Sequence, residues 1–120
     1  GYSGGARVNE DWLISKAIDL SESSGNVFLI FETVKRYSGD DIEAFYATDY
    51  SGGNPNSDGT WTQLSPKLDT NTGSWSSWTS SGAQTLDNAT GGNLFIAFKY
   101  ISTTSAAATF EIDNVKIVVE

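Results

Sequence analysis

The chain has 120 residues, enough for one domain and too few for two domains with separate cores. It carries 15 acidic against 7 basic residues, for a net charge of −8, and it holds neither histidine nor cysteine. These counts exclude Ser-His and Cys-His nucleophile pairs, His- or Cys-ligated metal centres and disulfides, and the charge argues against nucleic acid or an anionic membrane as partner.

Helical periodicity is weak throughout. Short runs of Val, Ile, Phe, Tyr and Trp alternate with clusters of Gly, Ser, Asn and Asp, which reads as strands and turns. The first strand is expected over 12–20, with a turn at 24–26. A second follows over 27–36. It is apolar on both faces until Glu32, which predicts a central place in its sheet. A turn at 38–41 leads to a third strand over 42–48. Residues 49–59, DYSGGNPNSDG, have almost nothing to bury and read as an exposed loop. Short strands are expected over 60–64, with Trp61, and over 74–80, with Trp75 and Trp78. A turn at 88–92, with a short helical piece before it, precedes a strong strand over 93–101. There Leu94, Ile96, Phe98 and Tyr100 share one face. The last strand covers 109–119 and changes phase: Phe110 and Ile112 have one parity, Val115, Ile117 and Val119 the other. Such a flip predicts a β-bulge at Asp113-Asn114.

Seven or eight strands at this spacing predict an all-β sandwich of two antiparallel sheets. No apolar run is long enough to span a bilayer, and neither a signal peptide nor an initiator Met is present. Residues 1–120 therefore read as a single module excised from a larger protein.

Several segments occur in a telling order: Asn9-Glu10-Asp11-Trp12-Leu13-Ile14-Ser15, Phe31-Glu32-Thr33 running to Tyr37, Asp40-Asp41-Ile42-Glu43, Trp61-Thr62-Gln63-Leu64, Gly73-Ser74-Trp75, Ile96-Ala97-Phe98-Lys99-Tyr100, and Phe110-Glu111-Ile112-Asp113-Asn114-Val115. Together they resemble the choice-of-anchor J domain, related to the cleaved adhesin domains of large secreted or surface proteins, mainly of Bacteroidota. The resemblance implies a jelly-roll β-sandwich of the galactose-binding or carbohydrate-binding-module type. It also implies a structural calcium, export through a type IX route to the extracellular space or cell surface, and a non-catalytic accessory role beside covalently linked domains.

Calcium takes six to eight oxygen ligands and tolerates sites assembled from separate loops. Carried over from the resemblance, Glu10, Asp41 and Asp113 match positions where such domains place the ion, with Asp40 and Asn9 as neighbours. The same side chains also read as solvated turn carboxylates. Asp49 and Asp58 read as turn residues of the long loop.

Aromatic residues are plentiful: four Trp, five Tyr and six Phe. Sugar rings stack on Trp and Tyr planes, so exposed aromatics with polar neighbours would suit a glycan. The phenylalanines 28, 31, 45, 95, 98 and 110 and Trp12 read as core, and Trp61 as core or half-buried. Tyr37, Tyr50, Trp75 and Trp78 are the candidate stacking residues, against the alternative of local packing at a sheet edge. Arg36, with Arg7 and Lys35, forms the one basic cluster near them. It would suit an acidic sugar, or is a solvated strand end.

A pair of carboxylates could in principle serve a glycosidase. The small size, the absence of histidine and the lack of a nucleophile motif argue against an enzyme. The expectation is a calcium-supported carbohydrate-binding or adhesion module acting on a polysaccharide. The alternative is a structural spacer or protein-interaction domain without a glycan site.

Overall fold

The structure is a computed structural model that describes residues 9–71, 73, 77–103 and 108–120, without the side chain of Asn9. Among the described residues eight strands form: β1 (Asn9–Ile14), β2 (Val27–Arg36), β3 (Glu43–Ala47), β4 (Thr62–Gln63), β5 (Thr79–Ser80), β6 (Gln84–Thr85), β7 (Phe95–Ser102) and β8 (Thr109–Val119). There is no helix among the described residues. All pairings are antiparallel and build two sheets. One has the order β1-β7-β3-β4. In the other, β2 is central, with β5 and β6 along one edge and β8 along the other.

The sequence explains these choices. Val27, Leu29, Phe31 and Thr33 alternate on β2 and are all buried, as period-2 geometry requires of one face. They meet Ala44 and Tyr46 of β3 and Leu94, Ile96 and Phe98 of β7 in one core. Phe31 meets Phe98 edge-on across the two sheets, with centroids 4.9 Å apart. This shared core makes the fold sandwich-like.

The predicted bulge is present. On β2, Ile30 faces Lys116 and Glu32 faces Asp113, so β8 carries one extra residue there. Asn114 absorbs it at φ 51°, a left-handed conformation that Asn tolerates better than most residues. Its side-chain amide donates to Glu32 Oε2 at 2.8 Å.

Other expectations are corrected. The first strand ends at Ile14, not at Leu20. Ser15 and Ile18 still bond to Ile96 and Leu94, but Lys16 and Ala17 between them are exposed and break the ladder. Of the strand expected over 74–80, residues 77–78 are not strand and 79–80 form β5, while 74–76 lie outside the described residues. No helical piece precedes Asn88, which instead turns at φ 58°. Strand β6 was not expected, being two residues long. Buried Ser81 links the two short edge strands: its amide donates to Phe31 O at 2.8 Å, and its hydroxyl accepts from Phe31 N at 3.0 Å.

Candidate functional site

Directly paired residues of neighbouring strands share a sheet face. Trp12 on β1 pairs with Lys99 on β7, which pairs with Glu43 on β3. Phe45 and Phe95 have the same parity. These side chains cover the face of the β1-β7-β3-β4 sheet that points away from the common core. Trp12 and Phe45, expected in the core, are therefore half-buried on the outer face, as is Phe95. Phe28 is likewise half-buried outside the core cluster.

A continuous row of rings results. Trp12 lies 5.3 Å from Phe45 and 5.7 Å from Trp61. Tyr50 then joins Trp61 at 5.2 Å to Phe95 at 5.1 Å. Ala47 and Ala97 are buried and lie outside the central cluster. Their strand parity places them under the rings, where small side chains leave room for large ones.

Residues 49–60 cover one end of the row, and polar contacts hold the loop in shape. Asp49 accepts from Thr60 N at 2.6 Å. Asp58 accepts from the Ser51 hydroxyl at 2.7 Å and from Gly53 N at 2.8 Å. The Tyr50 hydroxyl donates to Gly53 O at 2.6 Å, and Trp61 Nε1 to Asp58 O at 3.0 Å. Gly59 has φ +88°, and a Cβ there would sit 3.3 Å from both Trp61 Nε1 and Tyr50. Only glycine allows so close a loop at that backbone angle.

The rim of the row is charged and polar. Glu10 Oε1 accepts from Trp12 Nε1 and from Asn56 Nδ2, both at 2.9 Å. Lys99 Nζ stands 3.9 Å from Glu10 and 5.3 Å from the Trp12 ring centre. Gln63 donates to Glu43 at 2.8 Å. The bonds from Trp12 and Asn56 hold the Glu10 carboxyl below its usual pKa. The bond from the Thr60 amide does the same for Asp49, and that from the Ser51 hydroxyl for Asp58. The three carboxylates thus stay charged at neutral pH and serve as loop anchors.

The remaining expected ligand residues are scattered. Tyr37 is 49 % exposed at the end of β2, with φ 67° and the Arg36 guanidinium over its ring at 4.6 Å. Trp78 is 45 % exposed beside β5. Trp75 and Arg7 lie outside the described residues. Of the three candidates among the described residues, Tyr37, Tyr50 and Trp78, Tyr50 belongs to the ring row. The expected basic cluster loses Lys35, which is buried and bonds to Gly39 O at 3.2 Å and Asp41 Oδ1 at 3.1 Å. That lysine ties down the turn between β2 and β3.

The expected calcium ligands sit on separate elements. Glu10 is on β1 and engaged with Trp12 and Asn56. Asp41, paired with Lys35, and exposed Asp40 lie in the turn before β3. Asp113 is at the bulge of β8, where it accepts from Asn114 N at 2.7 Å. The side chain of Asn9 lies outside the described residues. Among the described residues no three acidic side chains gather into a group that could hold a metal.

Sequence reasoning missed the partners of Tyr50. The signal was available: Glu10 and Trp12, Glu43 and Phe45, Phe95 and Lys99 each set an aromatic and a charge on one parity. No protein-family model and no curated protein matches the chain.

Proposed function

We propose that the chain is a non-catalytic carbohydrate-binding or adhesion module. In this reading it is a jelly-roll β-sandwich akin to choice-of-anchor J domains, working at the cell surface or outside it beside covalently linked domains. The observation that carries the reading is the ring row on the outer sheet face. Trp12, Trp61 and Tyr50 offer apolar planes, while Glu10, Asn56, Lys99 and Gln63 offer fixed donors and acceptors around them. That pairing of a stacking surface with oriented polar groups is what a pyranose ring needs. The reading includes a structural calcium, with Glu10, Asp40, Asp41, Asp113 and Asn9 as its candidate ligands.

The rings are tilted by 35° to 84° instead of lying coplanar. That tilt supports the second reading, in which the row is a small core under the loop and the domain is a spacer or protein-interaction module. A glycan array with the isolated domain separates the two. The first reading expects binding to at least one polysaccharide, lost in Trp61→Ala and Trp12→Ala and retained in Trp78→Ala. Binding that survives both ring-row substitutions, or a folded domain that binds no glycan, would sink it.

A further inference from the structure

Among the described residues, the two sheets leave one side of the molecule open. β1 is the end strand of its sheet, and β8 the end strand of the other. Each turns an edge without a strand partner, among the described residues, toward the same groove. Two adjoining cavities of about 340 and 280 Å³ run along it and share Leu13 and Phe98 as lining. β8 contributes Phe110 and Ile112 before its bulge, and Val115 and Ile117 after it. The bulge thus keeps the apolar parity of the whole strand turned into the groove. Leu13 and Val115 belong to core-facing parities, yet are 66 % and 49 % exposed. In a closed sandwich an opposing strand covers such positions.

We infer that this groove docks an extended segment of another polypeptide, added as a strand along the free edge of β8. The edge is 11 residues long, or about 36 Å at strand rise. It offers a ladder of backbone donors and acceptors, which an extended chain satisfies and a helix does not. Apolar side chains at every second residue of the guest would fill the positions beside Leu13, Ile112 and Val115. The charges define the rest of the guest. Asp11 lines the groove, Glu111 and Asp113 stand exposed on the other parity of β8, and Lys116 is the sole base of that strand. The guest therefore carries Lys or Arg between its apolar residues. A second copy of this chain is a poor guest, since it would set one acidic edge and a net charge of −8 against another.

The test uses the whole 120-residue chain and a labelled peptide of alternating valine and lysine, read by fluorescence polarisation at physiological salt. Two control peptides are the same residues shuffled out of alternation, and an alternating valine–glutamate sequence. The expected result is saturable binding of the alternating cationic peptide, with both controls weaker by about tenfold or more. Leu13→Lys and Val115→Lys change exposed positions, so the fold survives, which a melting curve checks; each reduces binding about tenfold. Hydrogen exchange then shows new protection within 109–119. Trp61→Ala leaves peptide binding unchanged, which keeps this site distinct from the glycan reading. Equal binding of the shuffled peptide, no binding at all, or no protection on β8 overturns the inference. So does a concentration-dependent dimer that competes with the peptide, which makes a second copy the occupant. Binding that emerges only after removal of residues 1–8 overturns it too, because the chain's own leading segment then fills the groove.

Discussion

The contact between Phe31 and Phe98 gives the sharpest test of the fold, because it joins the two sheets. Phe31 is fully buried and Phe98 is 7 % exposed. Cutting Phe31 to alanine removes a ring from a packed core and leaves a void, at a cost of about 3–5 kcal/mol. Against a total stability of about 5–15 kcal/mol that is a large loss. Unfolding entropy near 2.1 cal/mol/K per residue, over 120 residues, converts it to a drop in Tm of about 12–20 °C. Urea unfolding of Phe31→Ala, Phe98→Ala and the double variant forms a cycle. If the rings touch edge-on as described, the two losses are not additive, and the coupling is about 0.5–1.5 kcal/mol. Leu86→Ala, also in the core but on neither of these strands, should destabilise without coupling to Phe31. Additivity of Phe31 and Phe98 within about 0.5 kcal/mol would refute the face-to-face arrangement of the two sheets.

Three further outcomes follow from the site and its supports. The carboxyls of Glu10, Asp49 and Asp58 have lowered pKa values in the folded chain, so their contribution is present above the ordinary carboxylate range and is lost as pH falls through the folded values. Tryptophan fluorescence should therefore stay flat from neutral pH to about pH 5 and change below about pH 4, with Asp58→Asn shifting the baseline at neutral pH; a transition between about pH 5 and 7 would contradict the loop anchors. At the bulge, Asn114→Val should cost about 1–3 kcal/mol in urea unfolding and Asn114→Gly less than about 1, and equal costs would show that the left-handed angle is not imposed. A calcium site of ordinary affinity would add about 2.7 kcal/mol at a hundredfold excess over its Kd. Melting curves in millimolar calcium and in chelator should therefore differ by several degrees if the candidate ligands hold the ion, and coinciding curves would remove calcium from the proposed reading.

The sequence carried the architecture where one strand parity was clearly apolar. The bounds of β2 and β8 are legible in the runs over 27–36 and 109–119, and the bulge in the switch from Ile112 to Val115. The two-residue strands β4, β5 and β6 are less legible, since pairing to a long neighbour defines them more than their own composition does. The ring row was hidden for another reason. Trp12-Leu13-Ile14 is apolar on both parities, so alternation alone cannot say which side faces the core. Packing places Leu13 toward the other sheet and Trp12 away from it. The choice then propagates through the pairing with Lys99 to Phe45 and Phe95. The calcium candidates, by contrast, sit on separate elements, and whether such elements converge is a matter of tertiary geometry on which spacing is silent.

The strand β2 has a consequence for how the chain is made. Its partner along most of its length is β8: residue 27 pairs with 119, and residue 36 with 109. β1 pairs with β7 across a similar span. Neither pairing can begin until nearly all of these residues have been synthesised, and closing such long loops is entropically slow. Leu29 and Phe31 meanwhile remain without the neighbours that bury them. Folding is therefore late and close to all-or-none, with a rate set by topology more than by local strand preference. Loss of the segment 109–119 would not shorten the domain by one strand. It would leave the central strand of one sheet without its main neighbour, and the nascent chain up to that point behaves as an unfolded, aggregation-prone polypeptide.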